Sequence, residues 1–303
     1  MNPQQRYIDY ALEWGNKHEW GLRNSADGWK TRNADNQCAG QAYIFLYELD
    51  PEKPEHYIAN IKSSIDSMMV TDKIDDWNWI DAIQMAMPIF AQMGNITGDS
   101  AYYNRAYDMY MYTKLQHGDN GLYNPADSLW WRDADFDPPY TEPNGEDCYW
   151  SRGNGWVVVA MARMLDILPA DETHRMEYET MLVEMSYALK KVQREDGYWN
   201  VSLHDPSNYG GKELTGTAMF IYGMAYGVNN GLLNREEFEP VILNAWNAMV
   251  NDSLHPNGFL GFVQGTGKEP KEAQPVTYER EPDFDDYGLG AFLMAGAEIY
   301  KML

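Results

Sequence analysis

Five stretches of this chain are apolar almost all round, and five amphipathic stretches alternate with them. The first set reads "AGQAYIFLYEL" from Ala39, "DAIQMAMPIFAQMG" from Asp81, "GNGWVVVAMARML" from Gly153, "TGTAMFIYGMAYG" from Thr215 and "GLGAFLMAGAEIY" from Gly288. Each opens on small or polar residues and then has no polar face, the pattern of a helix buried on every side. The second set, about residues 3–18, 54–69, 100–116, 172–194 and 235–250, carries apolar residues at three- and four-residue spacing and reads as outer helices. Alternation of the two with a period of several tens of residues predicts stacked helical hairpins rather than a sheet. Closed into a ring, such hairpins make an all-α protein, an α/α toroid.

In that arrangement the small-residue starts of the inner helices converge at one end. There lie "TRNADNQCAG", "DDWNWIDA", "YWSRGNGW", "KELTGTA" and "DFDDYGLG", and that end is the expected pocket. The longest excursion between helices, residues 118–149, is rich in Gly, Pro and Asn; its "SLWWRDADF" suits a short strand or hairpin, and long structured loops usually serve a site. With 303 residues, 44% of them hydrophobic, one toroid domain over residues 1–303 is the simplest reading.

A net charge of -23 repels polyanions, so neither nucleic acid nor an anionic membrane is an expected partner. Cys38 and Cys148 form no Cys-x-x-Cys or Cys/His cluster, which suggests buried thiols rather than a disulfide framework or zinc site. No apolar run has the length of a membrane span and no export signal is visible in this sequence; the location, cytoplasmic or periplasmic, stays unknown. Eleven Trp and 22 Tyr, many beside Asp, Asn, Arg and Gly, suit the faces of a sugar as well as a core.

One residue stands out. Asp81 sits between "WNWI" and an Ala/Ile/Met helix, where a charge is costly. On residues alone, Asp81 and Asp35 are either acids of a site or helix-start residues satisfied by backbone N–H groups. Arg152 either serves a ligand or neutralises Asp147 or Glu146, Trp150 and Trp156 either stack or pack, and His204 is a loop histidine with a minor claim to substrate. The acidic run over residues 279–288 reads as a solvated rim with a helix cap at Asp285 or Asp286, not as a metal site.

Taken together, "WNWIDAIQMAMP", "WWRDADF", "YWSRGNGWVVVAMARML", "ELTGTAMFIYGMAYG", "GFVQGTG" and "DFDDYGLGAFLMAGAEIY" resemble glycoside hydrolase family 105 and its relative family 88, nearly end to end and in order. The resemblance implies an (α/α)6 barrel that removes a 4,5-unsaturated uronic acid from the non-reducing end of lyase-generated oligosaccharides, with no metal or organic cofactor. It implies that an aspartic acid protonates the C4=C5 enol ether while water adds at C5, giving a hemiketal that opens and expels the aglycone. By motif Asp81 matches the proton donor and Asp35 the second aspartate. Arg152, Trp150 and Trp156 match the binding arginine and aromatic platforms, with Trp79 and Asn154 of the same motifs as further substrate-binding candidates. Arg132 and Asp133 fall where some members have a His-containing strand reaching substrate; the segment departs in sequence, so they are carried over as contacts and the specificity they set stays open.

The inner-helix motifs correspond to the second through sixth of such a ring, and no counterpart of the first outer/inner pair is found, so the expectation is either a chain shortened at its N-terminus or an open ring. An open ring exposes an apolar flank, for which homo-oligomer formation or poor solubility is expected. Two other function classes stay open: a non-catalytic glycan-binding scaffold, and another carbohydrate enzyme on the same ring. Six scattered His residues, none in an inner-helix motif, argue against an epimerase.

Overall fold

The computed structural model describes residues 5–23, 31–280 and 286–303. Among them are ten helices of ten residues or more and one single-turn helix: α1 (Gln5–Lys17), α2 (Ala34–Gln37), α3 (Gly40–Leu49), α4 (Ala59–Met69), α5 (Asp81–Thr97), α6 (Ala101–Leu115), α7 (Ser151–Ile167), α8 (Arg175–Lys191), α9 (Leu214–Asn229), α10 (Arg235–Ala248) and α11 (Asp286–Met302). Outer α1, α4, α6, α8 and α10 alternate along the chain with inner α3, α5, α7, α9 and α11, and α5 packs most closely on outer α6, α7 on α8 and α9 on α10. Successive inner helices pack side by side from α3 through α11. The fold is the mostly helical toroid arrangement expected from the alternation.

The inner helices form because their sequences cannot face water. Along α9, Leu214 through Val228 are buried apart from Tyr222, and along α5, Asp81 through Gly94 are buried apart from Met85. Small residues let the inner helices meet closely where they start: a Cβ on Gly216 of α9 would fall 1.9 Å from the Ser151 Oγ of α7. Pro88 in α5 has no N–H and therefore frees the carbonyl of Gln84 one turn earlier. Gln41 on α3 supplies the missing donor, its Nε2 reaching the carbonyls of Gln84 at 2.7 Å and Met85 at 2.9 Å. A proline that removes a bond within one helix thus ties that helix to its neighbour.

Two details differ from expectation. Residues 55–57 form a 3-10 turn before α4 rather than its first turn, and α2 is an additional single turn. The long excursion holds one antiparallel hairpin, β1 (Tyr123–Asn124) with β2 (Leu129–Trp130). Cys148 is buried as expected; Cys38 is exposed, because it follows α2 at the mouth of the ring.

Candidate active site

A cavity of about 810 Å³ opens where the inner helices begin. Its wall combines Asp35 and Cys38 near α2, Trp79, Asp81 and Met85 at the start of α5, Arg132 after β2, Trp150, Arg152 and Trp156 around the start of α7, Thr266 and Gly267 of a loop, and Tyr287 of α11. Seven of the nine site candidates named from sequence are therefore brought together: Asp35, Asp81, Trp79, Arg132, Trp150, Arg152 and Trp156.

Main-chain pairing sets the acid in place. The segment before α5 is extended: Trp79 bridges to Asp133, the Ile80 N–H donates to the Arg132 carbonyl at 2.9 Å, and Thr113 Oγ1 donates to the Trp77 carbonyl at 2.6 Å. Asp81 then becomes the first residue of α5, 5% exposed, while the Arg132 side chain is swung against it. Arg132 Nε donates to Asp81 Oδ2 at 3.1 Å and its terminal nitrogen pairs with Asp133. Asp81 Oδ1 is buried with no hydrogen-bond partner. An ordinary helix-start carboxylate is satisfied by backbone N–H groups; Asp81 has Arg132 on one oxygen and no partner on the other.

Burial pushes the Asp81 carboxyl above the usual aspartate value, outweighing the opposing pull of the Arg132 and Arg152 guanidiniums, and the charge of Asp35 adds to the rise. Asp35 itself is exposed in the first turn of α2, whose cap is Asn33: its Oδ1 accepts from the Asn36 N–H at 3.2 Å. Capping is therefore not what Asp35 does.

Arg152 is 4% exposed and donates from its two terminal nitrogens to the carbonyls of Gln264 (2.7 Å) and Gly265 (2.8 Å). Its guanidinium lies over Trp150 at 4.6 Å and over Tyr287 at 5.0 Å. Among the described residues no carboxylate ion-pairs with it; Asp147, one of the expected partners, instead accepts from Asn124 and Tyr149. Carbonyls and rings hold the fork in plane without neutralising it, which suits an incoming carboxylate.

Two candidates stand outside the cavity. Asn154 is a correction: it is fully buried, its Oδ1 accepting from the Trp130 N–H (2.9 Å) and its Nδ2 donating to the carbonyls of Trp130 (3.0 Å) and Trp150 (3.1 Å). The amide clamps β2 onto α7 and has nothing left for a sugar. Asp133 does not line the cavity either; it holds Arg132 and accepts from the Asp135 N–H at 2.9 Å. Trp77, expected beside Asp81, packs edge-on against Phe90 in the core. His204 packs edge-on against Tyr149, and Asp285 lies outside the described residues.

Gln264 was legible only as part of "GFVQGTG". Fully buried, it accepts from Trp150 Nε1 through its side chain at 2.8 Å while its carbonyl receives Arg152 and the Tyr287 hydroxyl. One residue thus fixes two elements of the cavity wall. A lone glutamine in a loop carries no periodic signal that could have singled it out.

Helical hairpins gathering carboxyls, guanidiniums and indoles around one cavity at the starts of their inner helices define a carbohydrate-active α/α toroid. The chain belongs to glycosyl hydrolase family 88, whose model matches residues 1–303, and it is a glycoside hydrolase. It is 32% identical over 306 residues to the unsaturated 3S-rhamnoglycuronyl hydrolase of Formosa agariphila, the match covering 93% of this chain and 78% of that protein. Among solved structures it is similar to a family 88 glycosyl hydrolase from Bacteroides vulgatus, with TM-score 0.91 and 32% identity over 99% of this chain and 87% of that one. A family 105 glycoside hydrolase of C. acetobutylicum shares the fold, with TM-score 0.77 and 22% identity over 99% and 89% of the two chains.

Proposed function

We propose that the protein removes a 4,5-unsaturated uronic acid from the non-reducing end of lyase-generated oligosaccharides, by hydrating the ring double bond. The observation that carries this is the Asp81 carboxyl: buried, raised in pKa, with one oxygen unpartnered, in the same cavity as an Arg152 fork held by carbonyls and rings. The name of the Formosa agariphila relative supports a uronyl–rhamnose end as the substrate.

In this reading Arg152, seated over the buried ring of Trp150, takes the uronate carboxylate, and the partly exposed Trp156 and Trp79 supply apolar faces for the sugar. Asp81 in its protonated form gives its proton to C4, water adds its oxygen to C5, and the proton released from water passes to the carboxylate so formed, with Asp35 as its partner. The resulting hemiketal opens and the aglycone leaves as an alcohol. A raised pKa keeps the acid charged with its proton nearer neutral pH, which is what a general acid needs. Arg132 and Asp133 tune Asp81 rather than the sugar. The whole reading is tested by following loss of the enol-ether absorbance on lyase products of pectin, ulvan and glycosaminoglycans; folded enzyme that consumes none of them would overturn it.

Self-association belongs to the same proposal. Leu289, Leu293 and Tyr300 are exposed on α11 and Leu49 on α3, apolar residues of the kind expected to pair. Sedimentation of wild type beside Leu293→Glu tests it, a monomer in both cases counting against pairing. Among the described residues no helix is long and apolar enough to cross a membrane.

A further inference from the structure

On α7, which is otherwise buried from Ser151 through Leu165, two residues are only partly buried: Trp156 and Arg163. Trp156 lines the catalytic cavity. Arg163 lies eleven residues beyond Arg152, roughly 16 Å further down the helix at 1.5 Å per residue, and lines a second cavity of about 400 Å³. The two cavities share Cys38, Met85 and Trp156 as a common wall.

Among the described residues Arg163 makes neither a hydrogen bond nor an ion pair. Burial pushes the guanidinium below its ordinary value, against the weaker opposing influence of Tyr222, Cys38 and Asp166. Around it stand Gln41, Gln84 and Gln92, each with a buried side-chain oxygen that has no partner. The Gln41 amide is fixed by its two bonds to α5 carbonyls, so its oxygen must look elsewhere. A partly buried cation beside three orphaned acceptors is expensive unless something fills the space. The chemistry it lacks is specific: an oxyanion for the guanidinium and hydroxyl donors for the glutamines.

We propose that this second cavity binds a sugar that carries an oxyanion, a uronate carboxylate or a sulfate ester pairing with Arg163 while sugar hydroxyls donate to Gln41, Gln84 and Gln92. The site is separate from the hydrolytic reading, since its ligand need not be unsaturated.

Calorimetric titration with galacturonate, galactose 6-sulfate, galactose and inorganic sulfate tests it on the intact chain. The expected result is that one saturable site for galacturonate or galactose 6-sulfate disappears, or weakens at least tenfold, in Arg163→Gln, while galactose binds neither protein there. Which of the two anions is lost names the group. Gln92→Leu weakens the same site without touching the cation, and the melting temperatures of both variants show that they are folded. The same number of sites in wild type and both variants, or a site that takes inorganic sulfate but neither anionic sugar, overturns the proposal. Hydrolysis measured on the same samples reports the catalytic cavity separately.

Discussion

Arg132 Nε stands 3.1 Å from Asp81 Oδ2, while the far side of the same guanidinium pairs with Asp133. One arginine is thus shared between the buried acid and a second carboxylate. Burial decides the direction of the Asp81 pKa, against the opposing pull of Arg132 and Arg152.

The two charges flanking Asp81 should move its titration in opposite senses. Arg132→Gln removes a group that lowers the Asp81 pKa, so the alkaline limb of the pH profile of kcat/KM should shift upward; Asp35→Asn removes one that raises it, so the limb should shift downward. Activity falls in both. Profiles normalised to their maxima, with limbs that stay put, would separate Asp81 from the titration.

Stability carries the same sign. Because the folded-state pKa of Asp81 lies above the unfolded value, the native chain holds a proton that the unfolded chain has released, and stability is lost as pH rises through that window. Asp81→Asn removes the loss, so its melting temperature should exceed that of wild type at about pH 7 and lose this advantage at about pH 3, below ordinary carboxyl values. Arg132 remains paired with Asp133 in the variant. Scanning calorimetry at the two pH values reads the difference.

Arg152→Lys keeps the charge but not the fork. Two carbonyl bonds and two ring faces are shaped for a planar guanidinium. Steady-state kinetics should show KM raised at least about tenfold, with a smaller effect on kcat, as for a group that binds ground and transition states alike.

Asn154→Ala should act through the fold. It leaves the Trp130 N–H without its partner and removes a donor from two carbonyls, costing roughly 1–3 kcal/mol for the orphaned group. Denaturant unfolding should show this loss, and the variant that still folds should keep the wild-type KM within about twofold.

Much of this architecture was legible because the inner helices are buried all round: "TGTAMFIYGMAYG" has no face for water, and α9 has almost none. Asp81 was visible for the converse reason, a charge where apolar residues surround it. Pairwise geometry was not. Arg132 meets Asp81 across 51 residues of sequence only because Ile80 and Arg132 join their main chains, and no local pattern announces that. Asn154 looked like a site residue because it sits in "WSRGNGW" between two that line the cavity, yet the helix turns it toward β2. Arg163 was read as one position in an apolar helix, since its lack of a partner is a property of three helices at once.

The central claim is that Asp81 protonates the double bond. Side-by-side assays of wild type and Asp81→Asn on lyase-generated oligosaccharides, following the enol-ether absorbance, test it most directly. Turnover by wild type that falls by at least about a thousandfold in a folded Asp81→Asn is predicted, the scale expected for loss of a general acid. Turnover in Asp81→Asn within about tenfold of wild type would contradict the account and move the proton donor to another residue of the cavity.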